Sequence, residues 1–223
     1  MTNKTVKAIG VFVVLILAAI FVLTLTIDGL IKSSIEENSS ELLQTVVTVD
    51  EVDVSLFSGK GDIIGFKVQN PQDFSEQPAI NIQDISIKVN LMSLLKDQIV
   101  INEIIVKSPE LYFEQKGIGA NLKTLNDNMD LAFDEPSETT MIIDYLHIED
   151  GVVTVSTTID RERMAEANFS EFTLTDIGRD GNNTIKQSVR QILEPLFQKA
   201  ITEALKSGVT EQVKGKVQDL FNN

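Results

Sequence analysis

Residues 80–87, INIQDISI, decide how this chain folds: apolar side chains stand at 80 and 82 and again at 85 and 87, with Gln83-Asp84 between them. A period of two marks a β-strand. Strict alternation, however, would turn the two halves to opposite faces, because a slip of one residue reverses every side chain. One extra residue at the central pair keeps both halves on one face and bends the strand. The same eight-residue pattern recurs at 47–54 (VTVDEVDV), 99–106 (IVINEIIV), 141–148 (MIIDYLHI) and, more weakly, 167–174 (ANFSEFTL). Bulges are therefore expected at Gln83-Asp84, Asp50-Glu51, Asn102-Glu103, Asp144-Tyr145 and Ser170-Glu171. Runs at 63–68, 111–114 and 152–158 add further strands, punctuated by Gly59, Gly61, Asn70-Pro71, Ser108-Pro109 and Asp150-Gly151.

These runs predict an α+β fold built on a curved, mostly antiparallel sheet of about eight strands over residues 46–178. The expected concave apolar face takes Val52 and Val54 from the first strand, Ile64 and Phe66 from the second, and Ile80, Ile82, Ile85 and Ile87 from the third. Ile101, Ile104 and Val106 extend it, and Leu146 and Ile148 complete it. The plainer alternative is an ordinary antiparallel sheet with one face on a solid core.

Outward from the sheet, residues 8–27 (AIGVFVVLILAAIFVLTLTI) run without a charge. Twenty residues at about 1.5 Å each match the roughly 30 Å of a hydrocarbon core. Fourteen of them are Leu, Ile, Val or Phe, so insertion is favourable by several kcal/mol at about 0.3–0.6 kcal/mol each. A cleaved signal peptide is the competing reading, but the stretch exceeds a normal apolar core and no small-x-small site follows before Asp28. Lys4 and Lys7 precede the span, which predicts a cytoplasmic tail over 1–7, a single anchor, and everything after residue 28 exported. Residues 28–45 carry a broken helical stripe (Leu30, Ile31, Ile35, Leu42, Leu43) and read as a helical stalk.

Residues 126–140 hold five acids and Pro136 and read as a solvated connection, not a metal site. Residues 179–223 read as a long amphipathic helix, N-capped by Asn182 or Asn183 and segmented at Pro195, Gly208 and Gly215. It is slightly basic on an acidic body. It is expected to cover the sheet, with a movable lid or a membrane-surface strip as alternatives.

Thirty-three acidic against nineteen basic residues give a net charge of −14, which repels phosphate backbones and makes nucleic acid a poor partner. The absence of Cys removes disulfides, thiol catalysis and cysteine-held zinc. The one histidine, His147, alternates with Leu146 and Ile148 and should face away from the apolar side. No nucleophile elbow or HExxH run occurs. Gly59-Lys60-Gly61 is too short for a P-loop, and Gly117-Ile118-Gly119 lacks the third glycine of a dinucleotide loop. No enzyme, metal or cofactor site is expected.

Several stretches, taken in order, resemble the AsmA-like family of envelope proteins: Ile27-Asp28-Gly29 after the apolar run, then Ser58-Gly59, Gly61, Gly65, Asn70-Pro71 and Phe74. Ser93-Leu94-Leu95, Ser108-Pro109-Glu110, Tyr112-Phe113-Glu114, Asn121-Leu122, LHIEDGVVTV at 146–155 and Asp176-Ile177-Gly178 continue the match. The resemblance implies an inner-membrane protein of a diderm bacterium with its main domain in the periplasm. It also implies an amphipathic β-groove, and a part in moving phospholipid or keeping the outer membrane in order. Eight strands at about 4.8 Å spacing would make a groove near 40 Å long, too short to bridge two membranes alone. A short member would then join a larger envelope complex or self-associate. The alternative function is a non-catalytic scaffold that binds partner proteins through its acidic surface or sheet edges.

Overall fold

The computed structural model describes residues 26–116, 119–131, 140–157, 163–179 and 184–206. The apolar run at 8–27 therefore lies outside them except for Thr26 and Ile27, as do residues 207–223 of the expected carboxyl-terminal helix. Among the described residues no helix is long and apolar enough to cross a membrane.

The chain opens with helix α1 (26–43) and then builds one sheet. Its strands are β1 (Val47–Thr48), β2 (Glu51–Ser55), β3 (Lys60–Gln69), β4 (Pro78–Val89), β5 (Gln98–Lys107), β6 (Glu110–Lys116), β7 (Gly119–Ala120), β8 (Thr140–Ile148), β9 (Gly151–Thr157), β10 (Arg163–Phe169) and β11 (Phe172–Ile177). A 3-10 turn, Leu91–Leu95, links β4 to β5; helix α2 (Asn121–Leu131) follows β7, and helix α3 (Ile185–Lys206) follows β11. The sheet is mostly antiparallel, curved and not closed.

Eleven strands replace the expected eight, but their registers reduce them to six lanes and the short β7. Ile80 pairs with Leu111 and Asp84 with Lys107, so β6 and β5 continue a single count along β4. Ile104 pairs with Leu146 and Leu111 with Val153, so β8 and β9 also share one parallel register beside them. β11 and β10 do the same along β8 and β9. The lanes are thus β1–β2, β3, β4, β5–β6, β8–β9 and β11–β10, antiparallel throughout except where β5–β6 meets β8–β9.

The interruptions of these lanes line up. Continuing the registers from both sides places Asp50, Gly65, Gln83, Ser108, Asp150 and Ser170 on one line across all six lanes. We call this line the first crease. Gly65 and Ser108 adopt positive φ there, +67° and +44°. A second crease runs through Asn102, Asp144 and Asp176, the last at φ +57°. The five sequence copies sit on these two lines: those at 47–54, 80–87 and 167–174 straddle the first, those at 99–106 and 141–148 the second. One-sided register shifts occur between Lys88 and Val89, where β4 meets Asn102 of β5, and between Val68 and Gln69, where β3 meets the start of β4. Elsewhere neighbouring lanes break together and the register is unchanged, so the bends are shared creases and not the separate insertions expected from single strands. The fifth copy is accordingly two strands, β10 and β11, and not one bent one.

Crossing the first crease reverses the side-chain phase in every lane, so one inner face collects Val47, Val52, Ile63, Val68, Ile80, Ile82, Leu111, Val153 and Phe169. Both helical flanks pack on that face. Ile31 and Ile35 of α1 lie against Val49, Val52 and Ile63. Leu196 and Phe197 of α3 are buried in the main core, with Val189, Ile192 and Leu193 beside them.

α1 is no free-standing stalk. Asp28, Lys32, Glu36 and Ser40 recur every fourth residue and so share one helix face. Each bonds the backbone of the edge lane: Val54 N–H to Asp28 (3.0 Å), Lys32 to the Asp50 carbonyl (3.0 Å), Val49 N–H to Glu36 (2.8 Å) and Val47 N–H to Ser40 (2.9 Å). A helix thereby satisfies groups that would otherwise template a foreign strand.

α2 corrects the reading of 126–140 as a solvated connection, because Leu122, Leu125 and Met129 are fully buried and residues 126–131 belong to the helix. The N-cap of α3 is also different from the expectation. Thr184 and Gln187 bond each other's backbone N–H reciprocally, at 3.3 and 2.9 Å, a capping box. Asn182 and Asn183 lie outside the described residues.

Candidate functional site

Two rows of side chains cross the inner face between the first crease and the end where α1 begins, the proximal end. One row reads Val52, Ile63, Ile85, Val106, Ile148 and Phe172; the next reads Val54, Gly61, Ile87, Ile104, Leu146 and Leu174. Directly paired residues of adjacent strands share a face, so the register alone assembles both rows. Phe66 with Ile82 and Val68 with Ile80 continue the face beyond the crease, and Ile101 with Ile143 continues it toward the proximal end.

Of the residues expected on this face, Ile64 is misplaced. It pairs with Glu51 and Asp84, on the outer face, while its neighbour Ile63 pairs inward with Val52 and Ile85. The cause is Gly65: its positive φ shifts the phase within β3, so that Ile63 and Phe66 share a face and not Ile64 and Phe66. A Cβ at this position would lie 2.0 Å from the Asp50 carboxylate oxygen, which leaves glycine as the residue that fits.

The inner face is not uniformly filled. At the distal end, beyond the first crease, α2 and the end of α3 close it, and Val68, Phe113, Leu122, Leu125, Met129 and Val153 are 0% exposed. On the proximal side α1 covers the β1–β2 edge and α3 lies along β8–β11. Between the helices Val54, Ile85, Ile87, Val89, Ile101 and Ile104 are only half-buried. These residues form the floor of a short apolar trough over the four lanes from β2 to β5, about 15 Å across and about 13 Å along the strands. The expected 40 Å groove is thus not available, because the flanking helices and the distal core occupy the rest of the face.

The polar constellations are structural. Asn121, 0% exposed, uses its whole amide: its oxygen accepts from the N–H groups of Glu114 and Leu122, both at 2.8 Å, and its nitrogen donates to Asn70 (2.7 Å) and the Tyr112 carbonyl (2.6 Å). Ser75 N–H donates to Glu114 at 2.8 Å, and Phe74 lies beside Gly119. Asn70, Phe74, Glu114 and Asn121, which carried part of the resemblance, therefore converge to fasten the loop after β3 to the start of α2. On the outer face, Asn102, Asp144, Arg179 and Asp176 bond in sequence across the second crease.

His147 lies on the outer face between Thr173 (3.2 Å) and Glu171 (3.6 Å). An open cleft of about 450 Å³ follows the first crease, lined by Ser108, Glu110, Asp150, Gly151, Val152, Asn168, Phe169 and Ser170. Its two carboxylates are engaged structurally, Glu110 by the Asn81 amide at 2.7 Å and Asp150 by the Glu171 N–H at 2.8 Å. Among the described residues no group of three or more His, Asp or Glu side chains could hold a metal ion. The arrangement that stands out chemically is the set of half-buried apolar side chains on the inner face between α1 and α3.

The sequence profile of the AsmA family matches residues 2–172, more than two thirds of the chain. No curated protein matches it.

Proposed function

The chain belongs to the AsmA family, and on that premise we propose that it is an anchored envelope protein whose exported sheet shelters lipid acyl chains in the trough between α1 and α3. In this reading residues 8–27 cross the bacterial inner membrane once, the amino end is cytoplasmic, and the sheet stands in the periplasm. The protein takes part in phospholipid transport or outer-membrane maintenance and carries out no turnover chemistry.

The observation that carries the proposal is the half-buried floor. Ile85, Ile87, Ile101 and Ile104 continue the same rows as the fully buried core, yet all four are only half-buried. Apolar area left open between two walls favours an apolar guest, at about 0.8 kcal/mol per methylene removed from water. Specificity would come from shape and greasiness, and a short trough implies work within a larger envelope assembly or beside further copies. The scaffold alternative has less to stand on at the β1–β2 edge, which α1 already occupies, and would have to use β11 or the acidic outer face.

The test is native mass spectrometry on full-length protein extracted in mild detergent. Co-purified phospholipid is expected, lost in Ile85→Asp or Ile104→Asp while the melting transition remains cooperative. A well-folded wild type that emerges empty from every extraction, with a protein partner in its place, would establish the scaffold instead.

A further inference from the structure

The proximal end of the sheet is greasier than a solvated edge should be. The β2–β3 turn, the 3-10 turn and the start of α1 meet there: Val89 N–H donates to the Gly59 carbonyl at 2.7 Å, and Asp28 holds the N–H of Val54. Phe57 is 85% exposed, Leu95 81%, Met92 67% and Leu94 52%. The 3-10 turn is fixed, not frayed. Asn90 caps it by accepting from Met92 N–H at 3.1 Å, and buried Ser93 donates to the Asn90 carbonyl (2.6 Å) and accepts from Val100 N–H (2.9 Å). Because the inward position is taken by a serine, the apolar side chains on either side of it point outward.

The charges at this end differ from the rest of the molecule. Elsewhere Lys67, Lys107, Lys123 and Arg179 sit in ion pairs, Lys32, Lys116 and Lys199 donate to backbone carbonyls, and Arg190 is engaged as well. Lys60, Lys88 and Lys96 have exposed side chains and, among the described residues, no ion pair. All three rim the proximal end. Lys60 and Lys88 face each other across β3 and β4, with Glu103 next in the same row and Asp97 beside Lys96. On a chain of net charge −14, three unpaired ammonium groups around four exposed apolar tips are matched to one kind of surface, an apolar layer covered by anions.

We infer that the proximal end seats on an anionic phospholipid bilayer, with Phe57, Met92, Leu94 and Leu95 entering the headgroup–acyl boundary and Lys60, Lys88 and Lys96 meeting lipid phosphates. The inference rests on the anchor reading above, since the apolar run at 8–27 passes directly into α1 at this same end. Seated so, the trough opens toward the bilayer at Val89 and Ile101, and its floor continues the apolar layer.

The chain has no tryptophan, so Phe57→Trp and Leu95→Trp each place a single tryptophan, selectively excited at about 295 nm, at the proposed contact, and Met164→Trp places one at the distal end. Full-length variants are reconstituted in vesicles of phosphatidylcholine, with or without phosphatidylglycerol, bearing brominated acyl chains. Emission of the Phe57→Trp and Leu95→Trp variants should shift blue and be roughly halved by the bromines, that of Met164→Trp unchanged. Adding Lys60→Gln, Lys88→Gln and Lys96→Gln together should weaken quenching in the anionic vesicles and leave it unaltered in the neutral ones. Vesicle flotation without quenching overturns the seating alone. Failure to float with any vesicle overturns the anchor and the seating together.

Discussion

Gly65 shows how one residue can set a fold line. Its φ of +67° and the 2.0 Å approach of Asp50 to an added Cβ predict that Gly65→Ala costs about 1–3 kcal/mol in urea unfolding. Gly29, in helical α1 with open space around it, should instead gain up to about 1 kcal/mol as Gly29→Ala. Equal effects at the two sites would mean the crease is not constrained at Gly65. Asn121→Ala strands four backbone or amide partners in a dry site and is expected to cost at least about 3 kcal/mol, read as a lowered melting temperature. A third residue gives a pH signature. The side-chain hydrogen bond and charge of Asp84, 3.0 Å away, hold Lys107 above its ordinary value of 10.5. A raised pKa means the pair's contribution is full below the unfolded lysine value and is lost as pH rises through the folded one. Asp84→Asn should therefore shift stability equally from pH 6 to 9, by a small amount because the pair is exposed, and its effect should fade only in strong alkali. At this scale the sequence was legible where two apolar pairs flank a polar pair, as at Ile82 and Ile85. It was misleading at Ile64-Gly65-Phe66, where ordinary alternation fits and only the backbone sign of a glycine shows the phase change.

Elements depend on what satisfies their free backbone groups. α1 does this for the edge lane with a four-residue rhythm of polar side chains, and that rhythm was hidden in the sequence because Asp28, Lys32, Glu36 and Ser40 look like the wet face of an amphipathic helix. Glu36→Ala leaves the N–H of Val49, itself 2% exposed, without its acceptor, and about 1–3 kcal/mol of stability should go with it. Combining Asp28→Ala, Glu36→Ala and Ser40→Ala frees three donors along one edge, so concentration-dependent association should appear in light scattering while the wild type keeps its size. No change in size would mean that the bulk of α1, and not its side-chain bonds, guards the edge. α2 escaped the sequence reading for a different reason. Its buried apolar residues Leu122, Leu125 and Met129 are diluted by Asn and Asp, whose low helix propensity suggests a loop until the core claims the apolar ones.

At the scale of the whole molecule the two ends are built to different standards, and the division follows the first crease. The distal half has a dry core closed by α2 and α3, with Phe113, Leu122, Leu125 and Val153 at 0% exposure; the proximal half buries Ile63, Ile143 and Ile148 beside the helices and leaves Ile85, Ile87, Ile101 and Ile104 half open between them. Local stability tracks buried apolar contact. Amide exchange should accordingly be slowest in β6 and β9 and faster in residues 84–89 of β4 and 98–104 of β5, although these strands belong to one sheet. A lipid guest would bury the proximal floor and leave the distal core as it is. Vesicles containing phosphatidylglycerol are thus expected to slow exchange in the two proximal segments and leave β6 and β9 unchanged, whereas a scaffold with a solid interior would show no such asymmetry. If protection rises evenly along each lane, the creases divide the sheet only in shape. If it rises on the proximal side alone, they divide a rigid frame from a site that lipid completes.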